Sequence, residues 1–360
     1  IRHQNFMMLN LDKTISPSSK TADFKSRARS LIKIWKKAAT MTTKVAIIGL
    51  GIMGQRMLTH MRLHHNFEPD YLWDPDESAC RQAIILDPQS KVMGSANDAI
   101  SKADLVYLAC PPAVREPYAL AAAAAGKALF LEKPFGINLD DSARLMAGLQ
   151  AYNVPVAVNF TQASGAALTD LLAAKERGEM GDLLGVDVIV TYPAWPRHWQ
   201  KGADWLRFRA EGGMTREVIS HFLFFTERVL GPLSLISAHT TYPDDPSLCE
   251  TAVLARLESE TGQAVSILAT IGGAQPDRQE FTVKGTKSSR CITEFHKDAV
   301  TDGGDFVALR EPPKDPRAIS LKVQLDDLLL HLAAKPNRLA TMEEAFRIQT
   351  LVESILAKTL

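Results

Sequence analysis

The run Lys44 to Gly54, Lys-Val-Ala-Ile-Ile-Gly-Leu-Gly-Ile-Met-Gly, constrains this chain more than any other segment. Val45 to Ile48 is a short apolar run that predicts a buried parallel strand. It breaks directly into Gly49-x-Gly51-x-x-Gly54, and helical spacing follows in Met57, Leu58 and Met61. Strand, glycine turn and helix in that order are the context that a dinucleotide site requires. Gly49 permits the tight turn, Gly51 lets backbone approach a pyrophosphate, and Gly54 lets helix and strand pack closely. The N–H groups of the helix start, at Ile52 and Met53, then face the phosphates. Asp74 closes a second apparent strand, Tyr71 to Trp73, twenty positions after Gly54. A carboxylate there accepts from ribose hydroxyls and repels a 2′-phosphate, so the expected cofactor is NAD rather than NADP.

A length of 360 residues points to two domains. Formal net charge is zero, which removes the electrostatic case for nucleic acid or an anionic membrane as partner. No run of eighteen apolar residues suggests a membrane span. Cys80, Cys110, Cys249 and Cys291 are scattered without CxxC spacing, so reduced thiols are expected, with no zinc site and a cytoplasmic setting. Residues 1–40 are rich in Ser, Thr, Lys and Arg, and Met41 reads as a natural start; the leader is expected to be disordered or non-native. Lys33 interrupts its only apolar cluster, which argues against a signal peptide.

Residues 41–160 alternate apolar runs with helical patterns, including strands at 105–110, 128–131 and 154–160 and helices at 118–126 and 140–152. That rhythm predicts an α/β fold opening with a doubly wound parallel Rossmann sheet, its ligands at the carboxyl ends of the strands. Beyond residue 160 the rhythm changes. Helices are expected at 168–177 and 216–230, with strands at 185–192, 233–242, 251–258, 264–271 and 279–284. Hairpin-type turns such as Glu260-Thr-Gly262 predict a second α/β domain over 161–340 with a mostly antiparallel sheet half buried by helices. A helix over 319–334 closes that domain, and a final helix within 341–360 opens on the capping-box pattern Thr341-x-x-Glu344.

Several further motifs occur in a fixed order. They are Ala109-Cys-Pro-Pro112 at a strand end, Tyr118…Ala-Ala-Gly126-Lys127, Glu132-Lys133-Pro134 and Gly178-Glu-Met-Gly181. Gly212-Gly213…Glu217-x-x-x-His221 and the closing Glu343-Glu-Ala-x-Arg-Ile-Gln follow. On these residues, from Lys44 to Lys358, the chain resembles the Gfo/Idh/MocA family of nicotinamide-dependent oxidoreductases. The resemblance implies a Rossmann domain, a second α/β domain whose open, mostly antiparallel sheet serves substrate and oligomer contacts, and a homodimer or homotetramer. It also implies NAD at Gly49, Gly51, Ile52, Met53, Gly54, Asp74, Cys110, Pro111, Pro112, Glu132 and Lys133. It makes Lys133 the group that polarises the reacting oxygen beside the nicotinamide, with Pro134 a candidate cis residue. It makes His221 and the acid four positions before it, Glu217, the second catalytic pair. Histidine titrates near neutral pH, as a group that accepts an alcohol proton should.

The chain departs from the family pattern at several places. Glu217 replaces the usual aspartate and Ile219 the usual glycine, so Glu217 is expected to reach a different partner, with Lys133 the candidate. Arg115 stands where a histidine is common after the Pro-Pro pair, and Gln162 where an arginine is common. The segment Tyr192-Pro-Ala-Trp195-Pro-Arg197-His-Trp199, with Trp205, Arg207, Arg209 and Arg216, is rich in aromatic and guanidinium groups. Tyr192, Trp195, Arg197, Trp199 and Arg216 are the expected substrate contacts, suited to a sugar-like molecule carrying an anionic group. The expected reaction is hydride transfer between NAD and a secondary alcohol or carbonyl of a sugar, polyol or sugar-like acid, without a metal. Alternatives are a cofactor-recycling glycosidase or sugar–sugar oxidoreductase on the same scaffold, or a non-catalytic cofactor-binding regulator.

Overall fold

The computed structural model describes residues 42–200 and 202–358; the leader reading for residues 1–40 lies outside them. The apolar run at the glycine turn becomes β1 (Thr43–Ile48), which pairs in parallel with β2 (Phe67–Trp73) on one side and β4 (Leu105–Leu108) on the other. With β3 (Lys91–Val92), β5 (Ala128–Glu132) and β6 (Val156–Asn159) the sheet runs β3-β2-β1-β4-β5-β6. Strand order reverses between β1 and β4, so the crevice outside their carboxyl ends is the place where a doubly wound sheet binds ligands. Helices α1 (Ile52–Leu63), α2 (Glu77–Leu86), α3 (Ala96–Lys102), α4 (Arg115–Ala124) and α5 (Leu139–Tyr152) make the crossovers. Their starts follow local capping chemistry: Asp76 accepts from Ser78 N, Ser95 from Asp98 N and Asn138 from Asp141 N.

The chain then passes α6 (Ala166–Glu176) into β7 (Leu183–Tyr192), an irregular loop, a π-helical turn at Thr215–Ile219 and α7 (Ser220–Leu230). The remaining strands are β8 (Leu233–Thr241), β9 (Ala252–Ser259), β10 (Ala264–Ile271), β11 (Arg278–Gly285), β12 (Ser289–Thr293), β13 (Lys297–Thr301) and β14 (Val307–Ala308). They form an open sheet in the order β14-β13-β12-β11-β7-β10-β9-β8. The sheet is mixed: β7 and β10 run parallel, and the other neighbours are antiparallel. The aromatic faces of α7 and β11 pack together, with Phe222 stacked on Phe281 at 6.0 Å and on Phe295 at 4.7 Å.

Helix α8 (Pro316–Leu332) departs from the domain division expected from the sequence. It was placed with the second domain, yet Leu321, Leu325, Leu328 and Leu332 pack with Val45, Ile47, Met57 and Leu58 in the core beneath β1. The reason is its apolar stripe. Leucines at spacings of three and four give one long buried face, and the parallel sheet offers the matching surface. The last helix, α9 (Met342–Leu356), starts with a complete Thr341/Glu344 capping box and joins the larger core shared by both sheets.

Candidate active site

The carboxyl ends of β1, β4 and β5 open onto a cleft of about 870 Å³. Gly49 takes φ +96°, and a Cβ there would lie 2.5 Å from Cys110 N; a Cβ on Gly54 would lie 2.0 Å from Gly49 O. Both positions therefore exclude side chains, for the turn and for helix–strand contact respectively. Gly51 caps α1 without a side-chain bond, so the first-turn N–H groups remain open toward the cleft. A Cβ on Gly51 meets nothing within 4 Å, which leaves room for a ligand against the backbone. Asp74 ties this turn together. Its carboxylate accepts from Leu50 N at 2.7 Å and Asp76 N at 2.8 Å while lining the cleft. Trp73 and Tyr118 meet edge to face at 5.5 Å beside it. These features fit an adenine dinucleotide: a donor-rich helix start for phosphates, an acceptor for ribose and an aromatic wall.

Cys110, Pro111, Pro112, Glu132 and Lys133 also line the cleft, at the ends of β4 and β5. The Lys133–Pro134 bond is cis. Lys133 Nζ donates to the Glu217 carboxylate and, at 2.9 Å, to the Glu217 carbonyl. The longer acid thus reaches the partner foreseen for it. Gln200 Nε2 donates to its other oxygen at 3.1 Å, and Arg197 Nε donates to Gln200 Oε1 at 2.8 Å. Glu217 sits in the π-helical turn and His221 in the first turn of α7, so the pair spans a junction between two helix types rather than one regular face.

His221 lies edge-on to Phe160 and Phe295, each at 5.6 Å. Its Nδ1 is sealed from solvent without a partner among the described residues. Burial first, then the charges of Lys133 and Arg197, hold the imidazole well below its ordinary titration range. The sequence-based expectation of near-neutral titration is therefore corrected: at neutral pH the ring carries no charge.

Behind Lys133 is a buried network. Tyr107 and Asn159 both donate to the Glu132 carboxylate, and Gln324 of α8 donates to Asn159 Oδ1 at 2.7 Å. Burial raises the Glu132 carboxyl from its usual range. Arg115, fully buried, donates to the carbonyls of Glu132 at 2.5 Å and Cys110 at 3.1 Å and to that of Pro134, clamping the ends of β4 and β5. Gln162 lines the cleft wall.

The expected substrate residues divide. Arg197 and Trp199 line the cleft, as does Trp205. Tyr192 is completely buried beneath it. Trp195 also packs below, its indole N–H donating to Leu206 O at 2.9 Å, while Arg197 lies over both rings at 5.2 and 5.7 Å. Arg216 is elsewhere. It forms a two-pronged pair with Glu353 of α9 at 2.7 Å and donates to the carbonyls of Arg209 and Gly212. Its guanidinium is consumed by structure, because a buried arginine needs an acceptor for each fork. Arg209 lies over Tyr242 at 3.7 Å, on the same side as Arg216. Sequence reasoning passed over Arg56, Gln200 and Arg317, which line the cleft, and the Tyr107, Asn159 and Gln324 network. For Arg56 the available signal was its place two residues after Gly54.

The fold and cleft define a dinucleotide-binding α/β class. Residues 43–160 match the family model described as the oxidoreductase family with an NAD-binding Rossmann fold, GFO_IDH_MocA. That match spans the first sheet and its crossovers and ends before α6 and β7. A curated relative, the dTDP-3,4-didehydro-2,6-dideoxy-alpha-D-glucose 3-reductase of Streptomyces violaceoruber, is 26% identical over 199 residues, 53% of this chain and 56% of its own. The chain spans 30% and 56% of the lengths of the two curated relatives it matches. Among solved structures, levoglucosan dehydrogenase in complex with NADH and levoglucosan superposes with a TM-score of 0.76 at 16% identity, covering 88% of this chain and 96% of that one. The WlbA dehydrogenase of Bordetella pertussis, in complex with NADH and UDP-GlcNAcA, superposes with a TM-score of 0.73 at 18% identity, covering 88% and 95%. At these identities the structural likeness concerns the fold.

Proposed function

We propose that this protein transfers a hydride between a nicotinamide dinucleotide and an alcohol or carbonyl carbon of a sugar-like substrate. The observation that carries the reading is the Lys133–Glu217 pair, standing with neutral His221 at the strand ends beside the glycine turn. Gly49, Gly51, Ile52 and Met53 would hold the pyrophosphate, with Gly54 keeping α1 close against the turn, Asp74 would hold the adenosine ribose, and Cys110, Pro111, Pro112 and Glu132 the nicotinamide end. Bound there, the cofactor supplies or accepts the hydride. Asp74 favours NAD, because its carboxylate stands where a 2′-phosphate would be repelled.

The chain's own part is positioning and proton handling. In the reductive direction Lys133 donates a hydrogen bond to the carbonyl oxygen and passes a proton to it as the carbon gains hydride. In oxidation the alcohol proton returns by the same route. Glu217 holds the lysine in place from one side. His221 accepts or donates a hydrogen bond at the same oxygen without becoming charged, since burial and two nearby cations oppose imidazolium. The neighbours named for sugar ligands and the aromatic–arginine cleft wall support a sugar-like substrate. Exposed Ile236, Leu254 and Leu268 on the second sheet support self-association through that sheet. The deciding experiment follows absorbance of the reduced cofactor across sugars, polyols and sugar acids with native, Lys133→Ala and His221→Ala protein. Turnover that survives Lys133→Ala overturns the assignment, and absence of turnover with every compound overturns the reaction.

A further inference from the structure

Three arginines from separate elements surround one indole at the edge of the cleft. The guanidinium carbons of Arg56 in α1, Arg197 in the loop after β7 and Arg317 in the first turn of α8 lie 5.4, 4.8 and 5.3 Å from the centre of the Trp199 ring. All four side chains line the cleft, and Trp199 is 42% exposed there. Among the described residues only Arg197 has a carboxylate within 4.0 Å, that of Glu217, and this group is already engaged by Lys133. The polar contact of Arg56 is to Met53 Sδ at 3.3 Å. Burial pushes both the Arg56 and the Arg317 guanidinium groups down from their usual range; the Glu132 and Glu217 carboxylates partly offset this at Arg56, whereas Arg56 and Arg197 repel Arg317 further. Arginine does not give up its proton in proteins, so three like charges stay gathered around one ring. Such an arrangement is relieved by an anion that takes the guanidinium forks while the indole keeps their planes in place.

We infer that Arg56, Arg197, Arg317 and Trp199 form a subsite for an anionic substituent, phosphoryl or carboxylate, on the substrate whose reacting carbon lies at Lys133. The inference rests on the hydride-transfer reading and narrows its substrate class. The cluster is continuous with the reacting centre rather than with the adenosine end. Arg197 touches both Gln200 and Glu217, whereas Asp74 lies at the β2 end of the glycine turn. Arg56 belongs to the helix whose start faces the pyrophosphate, so the cofactor is the competing claimant and the test separates the two.

NAD-loaded native protein and the Arg56→Gln/Arg317→Gln double variant are heated with increasing inorganic phosphate against sodium chloride of equal ionic strength. Phosphate should raise the native midpoint beyond chloride and lose that excess in the double variant, whose NAD affinity should stay within about threefold of native. Glucose, glucuronate and glucose 6-phosphate, titrated by calorimetry on the same NAD-loaded samples, separate carboxylate from phosphoryl preference. A native midpoint with no phosphate-specific shift overturns the subsite. A double variant that loses NAD affinity by tenfold or more assigns the arginines to the cofactor and overturns it as well. Because these readouts are binding, a lack of turnover would count against the reaction alone.

Discussion

Glu217→Gln isolates the charge that holds Lys133 while keeping the side-chain length. Lys133 is 8% exposed and Glu217 21% exposed, so the pair is largely but not wholly withdrawn from solvent. At an effective dielectric of about 20, opposite charges about 4 Å apart attract by roughly 4 kcal/mol. Exposure to the cleft and the desolvation of both groups offset part of this, and a hydrogen bond to a charged group contributes about 1.5–3 kcal/mol net. The Glu217 carbonyl, 2.9 Å from Nζ, and an amide oxygen in the variant retain part of the positioning. We therefore expect a loss of about 2 kcal/mol of transition-state stabilisation, or roughly 30-fold in kcat/KM. The assay is initial-rate measurement with the best substrate from the panel, together with NAD binding by calorimetry and thermal unfolding. NAD affinity should change little, since Glu217 meets the lysine rather than the glycine turn. A change in kcat/KM of less than about threefold, in protein that remains folded, would show that the pair does not position the lysine for chemistry.

Asp74→Ser should weaken NAD by about tenfold and improve NADP, corresponding to the loss of one charged hydrogen bond of about 1.5 kcal/mol; equal native affinity for both cofactors would contradict this. Leu325→Ala, at a fully buried position between α8 and the parallel sheet, should cost about 2–5 kcal/mol in urea unfolding, whereas a cost below about 1 kcal/mol would deny that α8 completes that core. His221 has a folded pKa depressed by burial, Lys133 and Arg197, so the unfolded chain takes up a proton near pH 6.5 that the folded chain refuses. Its stabilisation is full above about pH 6.5 and is lost as pH falls toward the folded pKa, by up to about 1.4 kcal/mol per pH unit. Urea midpoints for His221→Gln should fall less steeply than native between about pH 6.5 and 5, and identical slopes would refute the cause assigned.

The first half of the chain was readable because its signals are local. Gly49, Gly51 and Gly54 each answer a backbone requirement within a dozen residues, and Asp74 is fixed by strand length. The Lys133–Glu217 contact, 84 positions apart, was foreseen only from the extra methylene of Glu217 against a known pattern. What was missed depends on tertiary partners. Arg216 was assigned to substrate because nothing near it in sequence announces Glu353, 137 positions away. Arg56 and Arg317 look like ordinary helix arginines until two helices and the Trp199 loop meet. The neutrality of His221 follows from Phe160, Phe295 and two cations gathered from distant segments. Asn159 and Gln324 are single polar residues in otherwise apolar elements, and their bond spans 165 positions.

The return of α8 to the first sheet means that the intervening segment is anchored at both of its ends. Domain boundaries drawn by family similarity, which end at residue 160 here, would cut away four leucines that shield Val45 and Ile47. A fragment made on that boundary would carry the entire glycine turn yet present a bare apolar flank, so its aggregation would say nothing about cofactor recognition. The same double attachment means that any widening of the cleft must bend two chain crossings together.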